Sequence, residues 1–267
     1  MKELNIHIIG LGNLGKAFLN GFLNTNSSDF KNYFCYETNI QLAKQIENNY
    51  NIEVKTDIDI IDSGILLLCI KPQVVNEFLQ SNKSKVREDV LICSPVAGLS
   101  IDHISRTLSN KVIRVMPNLL IENNNGFIPY TKNYEGDYLN FIEKNLQKLG
   151  TVKEFDESIF PLITALSGSG PAWFYELSSQ LVKVGSELGL SEENSELVVK
   201  ELVKSLPGLI SDNESFSALV SKVKSPKGTT EAGLNSLELD SFDKIIYNAI
   251  NKATNRSIEI SKELESE

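Results

Sequence analysis

Gly10-Leu11-Gly12-Asn13-Leu14-Gly15 directly follows a short apolar segment, Leu4 to Ile9, and opens a segment, Asn13 to Leu23, whose apolar residues recur at helical spacing. Three glycines so placed between a strand and a helix constrain the fold more than any other feature of the chain. One permits a tight turn, one lets backbone approach a pyrophosphate, and one lets the helix pack closely on the strand. The helix start then offers free N–H groups and partial positive charge to an anion. Glu37 lies about 20 residues past Gly15, at the end of the next apolar run, where an acid accepts from a ribose 2′-hydroxyl. Gly10, Gly12, Asn13, Leu14, Gly15 and Glu37 are therefore the expected contacts of a dinucleotide. A carboxylate at that point repels a 2′-phosphate, so the expected cofactor is NAD(P)H with NADH preferred.

The first half of the chain continues the pattern. Tyr33 to Tyr36, Gly64 to Ile70, Val90 to Cys93 and Val112 to Met116 read as further buried strands, and Asn39 to Asn49 as a helix between them. Alternation of this kind predicts repeated βαβ units and a doubly wound, mostly parallel sheet covered on both faces. From about Ile159 onward short apolar blocks give way to helical spacing, as in Phe242, Ile245, Ile246, Ala249, Ile250 and Ala253, and an all-α domain follows. The expected division is 1–158 for the α/β domain and 159–267 for the helical one, with a last strand at Thr151 to Phe155. Asn24 to Ser28 and Asn123 to Asn125 read as polar surface loops.

Composition narrows the function classes. A net charge of -9 opposes attraction to nucleic acid or anionic lipid. No segment approaches the ~20 apolar residues of a membrane span. Cys35, Cys69 and Cys93 sit far apart in apolar runs, as buried thiols rather than a disulfide framework or a metal site. A cytoplasmic protein with neither nucleic-acid nor membrane partners, and no metal, is the expectation. His7 and His103 lack an acid or cysteine at useful spacing and read as structural.

Several further segments fall where α/β sheets bind ligands, at the carboxyl ends of strands. Ile70-Lys71-Pro72-Gln73 follows one strand, Ser94-Pro95-Val96-Ala97-Gly98 the next, and Arg114-Val115-Met116-Pro117-Asn118 a third. Lys71 is placed to meet phosphate or ribose, or else is a surface lysine before a helix-starting proline. Ser167-Gly168-Ser169-Gly170-Pro171-Ala172 opens a long apolar helix, with Ser169 or Gly170 as its cap. Ser225-Pro226-Lys227-Gly228-Thr229-Thr230 gathers hydroxyls and free N–H groups before another helix, a geometry suited to a carboxylate.

In order and spacing, these motifs resemble those of pyrroline-5-carboxylate reductases over most of the chain, and the last two are far more diagnostic than the glycine loop. The resemblance implies hydride transfer from NAD(P)H to the C=N bond of a cyclic imine, yielding proline. It assigns the imine nitrogen to the hydroxyl of Thr230 and the substrate carboxylate to Ser225, Gly228 and Thr229, with Ser169 close by. It carries Ile70, Lys71, Pro72, Ala97 and Asn118 over to the cofactor. It also implies a homodimer with interlocked C-terminal helices, Pro171 to Leu188 and Phe242 to Ile260 among them, that can build larger rings. This sequence departs from the family pattern at Lys227, where glycine is usual, at Leu119-Leu120, where Thr-Pro is usual, and at Trp173, where tyrosine is usual. Asn213 to Phe216 lacks the usual His-Pro pair.

The departures leave open a reductase of a related cyclic imine. A hydroxy-acid dehydrogenase of the same plan needs a lysine one turn into the long helix, and the residue there is Phe174. A dinucleotide sensor without catalysis is the third reading, opposed by the Thr229-Thr230 pair.

Overall fold

The computed structural model describes residues 4–24, 29–211 and 213–266. Most of the loop read at Asn24 to Ser28 falls on 25–28, outside the described residues. Contacts divide the chain into two compact units, Met1–Ser169 with Lys252–Glu267, and Gly170–Asn251. The composition shift near Ser158 follows the last strand of the sheet, which ends at Glu154.

The first unit is built on eight strands: β1 (Leu4–Ile9), β2 (Phe30–Tyr36), β3 (Val54–Lys55), β4 (Ile65–Leu68), β5 (Leu91–Ser94), β6 (Val112–Val115), β7 (Gly126–Lys132) and β8 (Gly150–Glu154). Their order across the sheet is β3-β2-β1-β4-β5-β6-β7-β8. All neighbouring pairs run parallel except β6 with β7. β4, β5 and β6 are buried at every residue, which is why they read as unbroken apolar runs. The expected doubly wound sheet is present.

Helices α1 (Asn13–Asn24), α2 (Ile40–Tyr50), α3 (Pro72–Asn82), α4 (Ile101–Thr107) and α5 (Asp137–Gln147) accompany it. The buried stripe of α1, including Phe18, Leu19 and Phe22, enters one core cluster with Ile6, Ile8 and Leu67. On the other side Val75 and Leu79 of α3 and Ile104 of α4 pack with Leu66, Leu68 and Ile92. α2 begins at Asn39, whose side chain accepts from the N–H groups of Gln41 and Leu42, a standard N-cap.

A short helix α6 (Phe160–Ile163) leads into a π-helical turn, Thr164–Gly168, and then into α7 (Gly170–Glu187). α7 thus starts at the expected place, but without the expected cap. Ser169 has helical dihedrals and donates its N–H to Thr164 at 2.9 Å, so it does not cap. The second unit adds α8 (Glu192–Ser205), α9 (Phe216–Val223) and α10 (Thr229–Leu239). The last helix, α11 (Phe242–Ser266), starts in the second unit and ends in the first. Among the described residues no helix is long and apolar enough to cross a membrane.

Candidate active site

The glycine loop lies where the strand order reverses, between β1 and its two neighbours β2 and β4, the crevice at which open α/β sheets bind ligands. Gly10 has φ of 86°, and its N–H donates to the carbonyl of Tyr36 at 2.8 Å. A Cβ at Gly15 would fall 2.0 Å from the carbonyl oxygen of Gly10, so α1 can approach β1 this closely only without a side chain there. At Gly12 a Cβ would meet nothing within 4 Å. What Gly12 keeps clear is space outside the protein, as a pyrophosphate needs.

Glu37 is held at both carboxylate oxygens. Oε2 accepts the N–H of Leu11 at 2.8 Å and Oε1 that of Asn39 at 2.9 Å. The acid thus ties the glycine loop to the start of α2 while standing in a cavity of about 650 Å3. Gly10, Gly12, Glu37, Ile70 and Lys71 all line that cavity. The donor set and open backbone fit a dinucleotide. Asp57 and Glu77 line it too and were not foreseen. Asp57 follows β3, a strand of two residues that gives no periodic signal in sequence.

The remaining expected cofactor residues lie around this cavity rather than in it. Asn13 lines a separate polar groove with Lys16 and Leu119. Leu14 packs on the core beneath the loop, and Pro72 occupies the first turn of α3. Ala97 packs on Met116, Phe160 and Ile163. Asn118, 9% exposed, accepts the N–H of Leu120 at 3.2 Å and so shapes the turn after β6. Gly168 of the π turn lies against Met116, which brings the segments after β6 and before α7 together.

Arg114 on β6 is the most deeply placed charge of this region. It is 4% exposed and donates Nη1–H to Glu157 Oε1 at 2.8 Å. Its guanidinium also lies over the Phe160 ring, 4.8 Å from the centroid. The same Glu157 oxygen accepts the N–H of Ile101 at 2.9 Å. Burial pulls the Arg114 pKa down while Glu157 opposes the shift.

His7 is buried on β1, stacked on Phe34 and bonded through Nδ1 to the Tyr36 hydroxyl at 3.3 Å. Burial lowers its pKa to about 4, against a weaker opposing pull from Asp59. His103 bonds Asn76 through Nε2 at 2.7 Å. Among the described residues neither reaches a carboxylate by hydrogen bond. Cys35 and Cys93 are buried free thiols, and Cys69 is a half-buried one. Desolvation raises all three pKa values, that of Cys35 to about 12.

In the second unit Ser225, Gly228, Thr229 and Thr230 come together on one turn. The N–H of Gly228 donates to the carbonyl of Ser225 at 3.1 Å, and a Cβ on Gly228 would lie 2.2 Å from Ser225 Oγ. Gly228 is the N-cap of α10, so Thr229 and Thr230 carry first-turn N–H groups beyond the reach of the helix's own carbonyls. Lys227 adopts φ of 58°, a left-handed conformation that costs a residue other than glycine about 1 kcal/mol. Its N–H donates to Glu231 Oε2 at 2.8 Å, and Lys224 lies 3.4 Å from Oε1. These two contacts hold the Glu231 carboxyl below its usual range.

Glycine loop, acid after β2 and helical second unit define a Rossmann-type, dinucleotide-dependent oxidoreductase. The family model for pyrroline-5-carboxylate reductase dimerisation matches residues 157–260, and that for coenzyme F420-dependent NADP oxidoreductase matches 5–98. Pyrroline-5-carboxylate reductase 1 of Bacillus subtilis is 30% identical over 272 residues, covering 98% of this chain and 91% of that protein. The Staphylococcus epidermidis reductase is 28% identical, covering 94% and 96%. Among solved structures, Plasmodium falciparum pyrroline carboxylate reductase with NADP bound has a TM-score of 0.83 at 26% identity, covering 98% of this chain and 99% of that one. The chain belongs to the pyrroline-5-carboxylate reductase family.

Proposed function

We propose that this chain reduces 1-pyrroline-5-carboxylate to L-proline, the reaction of proline biosynthesis. The observation that carries this reading is the near-complete coverage of a 30% identical reductase, together with a hydroxyl-bearing turn at the N-terminus of α10. The dinucleotide, when bound, supplies the hydride to the imine carbon. Gly10, Gly12, Asn13, Leu14 and Gly15 hold its pyrophosphate end, Glu37 its ribose, and Ile70, Lys71, Pro72, Ala97 and Asn118 the remainder. Ser225, Gly228 and Thr229 take the substrate carboxylate through hydroxyl and backbone donors, and Ser169 is a further substrate-binding residue of the same reading. The Thr230 hydroxyl bonds the imine nitrogen, which gains its proton from water or that hydroxyl as the hydride arrives. Alignment of the two reactants supplies most of the acceleration, on the order of 7–11 kcal/mol.

The functional domains are 1–158 and 159–267, a division supported by the start of the dimerisation match at residue 157. That match also supports a dimer, and the same reading gives it interlocked helices and the capacity to build larger rings. Three cysteines free of disulfides support a cytoplasmic setting. NADH is preferred over NADPH, because Glu37 is fixed in a cavity that also carries Asp57 and Glu77 and a 2′-phosphate meets negative charge there. The test follows loss of reduced-nicotinamide absorbance with 1-pyrroline-5-carboxylate and with its six-membered homologue, using each dinucleotide. Faster turnover of the five-membered acid with NADH is expected, and NADPH turnover equal to it at low concentration overturns the cofactor choice. In Thr230→Ala, turnover falls about 100-fold, as for a lost proton-handling group, while NADH affinity holds. Lost NADH binding in that variant means the residue is misassigned.

A further inference from the structure

Three lysines flank the proposed carboxylate turn, and two are already paired. Lys222 is 2.7 Å from Glu214, and Lys224 is 3.4 Å from Glu231. Both oxygens of Glu231 are occupied, one by Lys224 and the other by the backbone N–H of Lys227 at 2.8 Å. The ammonium of Lys227 has no ion-pair partner among the described residues. The unpaired positive charge of this turn therefore rests on Lys227, which lies between Ser225 and Thr229.

The backbone sharpens the point. Lys227 sits at φ of 58°, where glycine folds without cost and a lysine does not. A long cation at such a position adds nothing to the turn's own stability. What it adds is a compact, mobile charge on a flexible stem, beside backbone donors that offer only dipoles to an anion.

We propose that Lys227 is a substrate-binding residue that pairs with the carboxylate of the cyclic imine, so that this chain selects for acid-bearing imines by charge as well as by hydrogen bonds. The proposal rests on the reductase reading above. Holding an anion by a screened, solvent-facing ammonium acts on ground state and transition state alike, so it appears in KM and leaves kcat in place.

The test uses the full-length protein and two variants, Lys227→Met and Lys227→Gly, with 1-pyrroline-5-carboxylate and with 1-pyrroline, the same ring without the acid. Both variants raise KM for the acid roughly fivefold, the upper range for an exposed ion pair, with kcat unchanged. KM for 1-pyrroline does not move. Added salt raises KM for the acid more steeply in the unmodified protein than in either variant. Lys227→Gly also melts at a higher temperature because the left-handed residue is relieved, whereas Lys227→Met does not, which separates charge from strain. An unmodified protein that turns over the acid, with KM unchanged in both variants, overturns the proposal. Failure of the unmodified protein to reduce either imine overturns the reductase reading and this proposal with it.

Discussion

Phe18, Phe22 and Phe160 of the first unit are fully buried, whereas Phe174, Tyr175 and Phe216 of the second are 68%, 63% and 72% exposed. Both units are rich in apolar side chains, and they dispose of them in opposite ways. The sheet of the first unit is covered on both faces by helices of the same chain. In the second, Val199 is the only apolar side chain among the described residues to reach the buried class. A helix with an uncovered apolar stripe leaves favourable burial unused, about 1.5–3 kcal/mol for each large side chain. The first unit thus fills its core with its own side chains, whereas the second leaves most of its large apolar side chains outside the buried class, in the region that matches a dimerisation family model.

That contrast can be broken or sharpened by substitution. The largest effect is expected for Gly15→Ala, whose methyl would lie 2.0 Å from a backbone carbonyl. Loss on the order of 5 kcal/mol and of NADH binding should follow, measured by denaturant unfolding and dinucleotide titration. Next comes Glu157→Ala, which strands the buried Arg114 cation at a cost of about 3–5 kcal/mol. A change below 1 kcal/mol in urea unfolding would show that Arg114 finds water or another partner.

The buried imidazole of His7 gives a pH signature. Its folded pKa of about 4 lies below the ordinary 6.5, so the unfolded chain takes up the proton first. The contribution is complete above pH 6.5 and is lost as pH falls from there towards about 4, to a total of roughly 3 kcal/mol. Urea midpoints across that range should fall in the natural protein and fall less in His7→Phe. The smallest effect tests the second unit. Ile245, 59% exposed on the single chain, changed to glutamate, is neutral within about 0.5 kcal/mol if the chain acts alone. Burial against a second copy predicts a loss of about 2 kcal/mol per site, seen as dissociation in sedimentation.

The sequence was most legible where burial is complete. Strands β4, β5 and β6 carry unbroken apolar runs, and the glycine loop declares its own turn. β7 was missed because Gly126 and Pro129 are residues that argue against a strand, and the chain tolerates them in the parallel pair that β7 makes with β8 at the sheet's edge. β3 is too short to show a period. α7 starts at Gly170, where its Ser-Gly-Pro composition places it, and only the cap was misread, because the π turn before it puts Ser169 in helical dihedrals with its N–H bonded back to Thr164. Within the cofactor cavity the glycines and Glu37 could be found by spacing, whereas Asp57 and Glu77 arrive from separate elements that only the folded sheet brings together. The free charge of Lys227 was equally hidden, since sequence alone does not show which of three lysines are paired.

The last helix gives the first unit an unusual history. Leu264 is 3% exposed and belongs to the same cluster as Val75, Leu79 and Ile104, with Ile260 beside it, and its carbonyl accepts from Asn76 at 2.9 Å. Domains emerging from the ribosome generally fold as units, the N-terminal one first. Here the unit made first lacks one piece of its core until residues 260–264 have left the exit tunnel. Synthesis of the sheet and completion of its core are therefore separated in time by the whole of the second unit.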